Sequence, residues 1–77
     1  MAREARTADV VAEMVANVMS VAVAPGDSVA EGDAVVLLES MKMEIPVISE
    51  EGGKVVELRV AEGDPVEDGQ VVAIVET

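Results

Sequence analysis

The chain repeats itself. Sliding the sequence by thirty-seven positions lays Val23-Ala24-Pro25-Gly26-Asp27-Ser28-Val29-Ala30-Glu31-Gly32 onto Val60-Ala61-Glu62-Gly63-Asp64-Pro65-Val66-Glu67-Asp68-Gly69, and residues 35–40 onto 72–77. Upstream the register holds, with Val10 on Val47, Glu13 on Glu50 and Val18 on Val55. The 77 residues are therefore two copies of one supersecondary unit, 10–40 and 47–77, with only 41–46 between them. Any secondary structure has to suit both copies, and this excludes readings that fit one of them.

Residues 8–22 alone suit a helix, with Val11, Met14, Val15, Val18 and Ala22 on one face. The matching stretch of the second copy forbids it. Gly52-Gly53 breaks a helix, and Val56, Leu58 and Val60 alternate with Glu57 and Arg59 at the period of a strand. Carried back, this register predicts that Met19, Val21 and Val23 face the core, opposite Ser20 and Ala22. All six glycines fall at candidate turns: Pro25-Gly26-Asp27, Glu31-Gly32-Asp33, Glu51-Gly52-Gly53, Glu62-Gly63-Asp64-Pro65 and Asp68-Gly69-Gln70. Short Val-rich runs separate them. The expected fold class is all-β: about eight strands, four per copy, in a small sandwich or barrel with an approximate two-fold axis. Residues 1–8 carry no period and are expected to be a flexible tail ahead of one domain over 9–77.

Composition removes most kinds of catalysis. With no Cys or His, the chain lacks the usual zinc ligands, the Ser-His and Cys-His nucleophile pairs and an imidazole base. A domain of 8.0 kDa buries only about 60% of its unfolded surface, too little to wall off a deep active site, so a non-enzyme with no catalytic residues is expected. Five basic against 16 acidic side chains, a net charge of −11, disfavour nucleic acid and anionic membranes. The longest apolar runs, 34–38 and 71–75, fall far short of the roughly 20 residues that span a bilayer. Residues 1–7 have no apolar core of a secretory signal, and a cytoplasmic protein is the default expectation. The start at Met1 and a free tail favour a separate small protein over an excised domain.

The junction between the copies is then the informative segment. In a two-fold arrangement it forms a hairpin at one edge, and its symmetry mate is where the chain ends, after Thr77. Tight turns favour Gly, Asn, Asp or Ser. This one holds Met41-Lys42-Met43, without glycine, in a chain with a single other lysine, Lys54, which is expected in a Gly52-Gly53-Lys54 turn as a surface charge. A lysine at a hairpin tip presents its amine on a flexible stem, and polarizable methionines give a docking partner an adaptable apolar patch. The arrangement suits display of one lysine for covalent modification.

In these residues the sequence resembles the biotinyl/lipoyl attachment domain family, and within it the biotin carboxyl carrier proteins. The resemblance rests on Glu39-Ser40-Met41-Lys42-Met43, on the Gly26-Asp27 and Gly32-Asp33 turns before it, and on the Gly-Asp and Asp-Gly turns of the second half; it covers residues 10–77. It implies a flattened eight-strand barrel with biotin joined by an amide to Lys42, and recognition of the site through Met41, Met43, Glu39, Ser40 and Glu44. No metal is implied. Lipoyl domains share the fold but usually place Asp before the lysine and Ala after it, so Met41 and Met43 favour biotin. The family often has a Pro-Met-Pro-Gly segment; here Glu13-Met14-Val15-Ala16 keeps only the methionine. The protruding thumb of some carriers is absent, because residues 23–29 map onto the second copy without a gap.

The resemblance implies partners as well. A biotin protein ligase activates biotin as an acyl-adenylate, which the neutral ε-amine of Lys42 attacks; the acyl–phosphate bond breaks and AMP leaves. With Glu39 and Glu44 beside it, the domain has no means of its own to take the amine's proton, so that task falls to the ligase. Biotin carboxylase and carboxyltransferase subunits then use the tethered group, whose tether raises its effective concentration at both sites. The domain alone is expected to be a monomer. Two alternatives stand beside this reading: a lipoyl-type acyl carrier, and a β interaction domain whose Lys42 is never modified.

Overall fold

A computed structural model describes residues 6–77. The first copy supplies β1 (Thr7–Val11), β2 (Ala16–Val21), β3 (Ser28–Val29) and β4 (Ala34–Ser40); the second supplies β5 (Met43–Ile48), β6 (Gly53–Leu58), β7 (Pro65–Val66) and β8 (Val71–Glu76). They form two antiparallel sheets, ordered β1-β8-β6-β3 and β5-β4-β2-β7. In each sheet the two central strands come from one copy and both edge strands from the other. Neither copy can complete a sheet alone, and exchanging the copies exchanges the sheets. The all-β expectation, two four-strand repeats about a pseudo-two-fold axis, is met.

Four turns repeat in symmetric pairs. At Ala24-Pro25-Gly26-Asp27 the Asp27 amide donates to the Ala24 carbonyl at 3.0 Å, and Gly26 has φ of 98°. A positive φ at the third position with Pro at the second is a type II turn, which glycine fills without a Cβ clash. The Asp27 carboxylate then accepts the Ala24 amide at 2.9 Å. The mate, Ala61 to Asp64, has the same 3.0 Å and 2.9 Å bonds. The second pair is closed by Asp33 on Ala30 and by Gln70 on Glu67.

Bulges also come in symmetric pairs, and they correct the expected register. Along β2 and β4, Val18 pairs with Leu38 and Ser20 with Leu37, leaving Met19 as an extra residue; along β6 and β8, Val56 is extra in the same way. An extra residue inverts the alternation beyond it. Val18 and Val55 therefore point inward, Met19 and Val56 are 39% and 44% exposed, and Val21, Val23, Leu58 and Val60 return to the core side. Met19 and Val56 were expected inside because period two was extended through the bulge. The second pair of bulges, at Val35 and Val72, lets consecutive residues Val35-Val36 and Val72-Ala73 all be buried.

The core is aliphatic, centred on Val18, Val35, Val36, Leu38, Val55, Val66, Val72 and Val75. Its buried polar residue among the described ones, Ser49, donates its hydroxyl to the Glu51 carbonyl at 2.6 Å. Three boundaries differ from the sequence reading. β1 already begins at Thr7, with Thr7 and Ala8 paired to Glu76 and Val75, so the strand starts ahead of the boundary expected at Asp9; residues 1–5 of the expected tail lie outside the described residues. Residues 43–46, counted between the copies, are the first part of β5 and so belong to the second copy's strands. Lys54 is not in a turn: it lies within β6, paired with Ser28 on one side and Glu76 on the other.

Candidate functional site

β4 and β5 run as one continuous hairpin, with register Leu38 to Ile45, Glu39 to Glu44 and Ser40 to Met43. Only Met41 and Lys42 remain for the turn. Both have positive φ, 52° and 66°. Two successive left-handed residues make a type I′ turn, the two-residue loop whose twist matches a β-hairpin. The usual occupants are Asn-Gly. A non-glycine residue in this region is uncommon, and each costs of order 1–2 kcal/mol. Among the described residues Met41 and Lys42 are the only non-glycine residues with positive φ. The strain sits where the sequence placed the candidate lysine, as it often does at functional positions.

The tip leaves its side chains in solvent. Met41 is 91% exposed and Met43 60%, while Leu38, on the same face of the hairpin as Ser40 and Met43, is sealed in the core. Lys42 is exposed at the apex. Behind it, Glu39 and Glu44 stand directly opposite each other and are both exposed; Ser40 is half-buried. The fold thus brings together all six sequence-predicted residues, Glu39, Ser40, Met41, Lys42, Met43 and Glu44, on one hairpin end. Lys54 is held elsewhere, between β3 and β8.

An open groove of about 380 Å³ runs beside the tip, lined by Val15, Asn17 and Pro65 as well as Met41 and Lys42. Val15 is 70% exposed there. Sequence reasoning missed these residues: Pro65 is remote in the chain and reaches the tip because β7 pairs with the start of β2, Asn17 to Pro65. The signal that could have found them is the contrast between the copies. The mates of Val15, Asn17 and Pro65 are Gly52, Lys54 and Ser28.

An attached group at Lys42 needs an amine clear of the fold, a rigid base and room for a partner. The exposed apex, the hydrogen-bonded hairpin and the open groove meet these needs. The family model described as "Biotin-requiring enzyme" matches residues 4–76. The chain belongs to that family. Its cofactor is covalently attached biotin, and this attachment domain is similar to a biotinylated protein TB7.3 homolog of Mycobacterium leprae, 58% identical over 45 residues, 58% of this chain and 63% of that one. For a second TB7.3 homolog, of Mycolicibacterium smegmatis, the match covers 58% of the relative, so the matched segments span about three fifths of these relatives' length. Among solved structures, the Kluyveromyces lactis urea carboxylase superposes with a TM-score of 0.86 at 31% identity, over 97% of this chain and 7% of that one. The lipoyl domain of the Azotobacter vinelandii 2-oxoglutarate dehydrogenase complex is more distant: a TM-score of 0.66 at 25% identity, over 95% of this chain and 94% of that one. The biotin reading is the better supported of the two.

Proposed function

We propose that Lys42 is the residue to which biotin is joined, and that the chain is a non-catalytic carrier presenting that biotin in turn to a biotin carboxylase and a carboxyltransferase. The observation that carries the site is the strained type I′ apex: Met41 and Lys42 hold left-handed backbone at the one turn of the described fold that uses no glycine, and Lys42 faces solvent there. The chemistry of carriage belongs to the cofactor, whose ureido nitrogen accepts and releases a carboxyl group. The chain's own residues do something simpler. β4 and β5 hold the amine at a fixed height above a sealed core, Met41 and Met43 give the modifying ligase an apolar grip, and the exposed carboxylates of Glu39 and Glu44 border it. The resemblance to a biotinylated relative and to a urea carboxylase supports work as a carrier in a carboxylase; a biotin protein ligase as the modifying enzyme, a monomeric state and a cytoplasmic location belong to the same proposal.

The test is co-expression with an active biotin protein ligase, followed by intact mass and a streptavidin blot of wild type, Lys42→Arg and Lys54→Arg. Arg keeps the positive charge but stays protonated and is no acyl acceptor. Wild type and Lys54→Arg are expected to gain one biotin and Lys42→Arg none. A signal surviving in Lys42→Arg overturns the assignment, and an unmodified wild type defeats the biotin reading.

A further inference from the structure

The internal repeat supplies its own control for what the fold requires. Each end of the molecule is built by equivalent strands, so packing makes similar demands at both, apart from the close approach of β8 that requires Gly53 at the mate position of Ala16, and residues that differ between the ends without such a cause are free to serve one of them. At the hairpin end Glu39 and Ser40 have near-equivalent mates in Glu76 and Thr77. The groove beside Lys42 does not: Val15, Ala16, Asn17 and Pro65 stand where the other end carries Gly52, Gly53, Lys54 and Ser28. The change is in one chemical direction. The hairpin end replaces two glycines, a charge and a hydroxyl by an exposed valine, a methyl, a neutral amide and a proline ring. Val15 gains nothing for stability, since it is 70% exposed, and a solvated valine does not serve solubility in a chain of net charge −11.

The groove is also contiguous with the tip. Met41 and Lys42 form one wall, and Val15, Asn17 and Pro65 line the rest. An enzyme that draws the Lys42 amine into its active site must press its surface against whatever lies within a side chain's length of that amine, and the face it meets here is an open concavity of mixed polar and apolar lining bordered by Glu39. A small apolar projection with neutral polar groups around it fits such a surface, and a positively charged rim complements the exposed carboxylates of Glu39 and Glu44. We infer that the biotin protein ligase docks into the groove formed by Val15, Asn17 and Pro65, and so reads a second surface outside the Met-Lys-Met tip. This rests on Lys42 being the attachment site. The groove makes the two ends of a nearly symmetric molecule distinguishable to that enzyme.

The experiment measures ligase kinetics with the full-length unmodified chain as the varied substrate, at saturating ATP and biotin. The variants are Val15→Gly and Asn17→Lys, each the residue the fold already holds at the mate position, and Lys54→Asn as the reciprocal change at the far end. Val15→Gly and Asn17→Lys are expected to raise KM for the protein about fivefold to tenfold, with kcat and melting temperature near wild type, because they remove contacts made on docking and leave the reacting amine in place. Lys54→Asn should leave KM unchanged, which separates docking from the general effect of charge. Wild-type KM in both groove variants overturns the proposal while the attachment site stands. A fall in kcat at unchanged KM also overturns it, because it assigns the residues to presentation of Lys42. Nuclear Overhauser contacts between the biotinyl ring and Val15 in the modified chain, with KM unmoved, assign the groove to the cofactor instead. A wild type that gains no biotin takes both readings down together.

Discussion

At the scale of single residues, position sets what each side chain costs. Met41 and Lys42 occupy left-handed backbone that Asn and Gly fill more cheaply, and Met41 is too exposed to regain that cost through burial. Met41→Asn should therefore stabilise the domain by about 0.5–1 kcal/mol in urea unfolding, and at the same time slow biotinylation by removing half of the apolar grip; a variant that is more stable and modified as fast as wild type would refute the recognition role. Replacing both Met41 and Met43 by Ala should weaken ligase recognition with the circular dichroism spectrum intact. Gly53 is constrained differently. A Cβ there would meet the Glu76 carbonyl oxygen and lie 2.8 Å from a Val75 methyl, whereas at Gly52 the nearest atom is an ordinary 3.5 Å away. Gly53→Ala should cost about 1–3 kcal/mol and Gly52→Ala well under that, a contrast that denaturant midpoints can read. Lys42 was legible in the sequence because its neighbours broke turn chemistry. The close approach at Gly53 was not, since the reason for that glycine lies on β8, far along the chain.

At the scale of elements, the repeat passes its local solutions to both copies. The four type II turns place Gly at the left-handed position, and three of them close on an aspartate whose carboxylate accepts the first residue's amide at 2.9 Å. Asp27→Ala and Asp64→Ala each remove one such bond at symmetry-related sites. Each is expected to lower stability by about 0.5–1.5 kcal/mol, and the double variant by their sum, as for sites sharing no partner; unequal losses would show that the two copies fold with different local stability. These turns could be placed from sequence because Pro-Gly-Asp and Glu-Gly-Asp state their own geometry. The bulges could not. Nothing in Asn17-Val18-Met19-Ser20 or in Lys54-Val55-Val56-Glu57 marks an extra residue, and a period-two reading runs through it, placing Met19 and Val56 inside and leaving out Val18 and Val55. The bulge is decided by the partner strand, β4 in one case and β8 in the other. Likewise residues 43–46 fall between the copies in the sequence because their mates, 6–9, precede Val10, the first residue at which the repeat matches. β1 and β5 become recognisable as strands only through their pairing with β8 and β4.

At the scale of the molecule, the near-symmetry lets its two ends be compared directly. The mate of the Ser40-to-Met43 closure is the meeting of Thr77 with Arg6, where the Thr77 amide donates to the Arg6 carbonyl at 2.8 Å. Two residues would bridge that gap as Met41 and Lys42 bridge the other. A chain cyclised from Thr77 to Arg6 through an inserted Met-Lys dipeptide, and carrying Lys42→Arg, would thus present a lysine at the opposite apex of the same scaffold. Closing the ends shrinks the unfolded ensemble, and the cyclic form should gain about 2–4 kcal/mol if the new turn closes without strain. Its new lysine would stand on equivalent strands, at an equivalent height, beside Glu76 instead of Glu39. It would lack Met43, whose place Arg6 takes, and the groove, where Gly52, Lys54 and Ser28 replace Val15, Asn17 and Pro65. If hairpin geometry alone selected the site, both apices would be modified at similar rates. Recognition through the methionines and the groove predicts instead that the transplanted lysine is biotinylated at least about tenfold more slowly at equal concentration. Restoring Val at 52 and Asn at 54, with Met at position 6, should then recover part of that loss. Equal rates at the two apices would show that the ligase reads the strained turn and nothing around it.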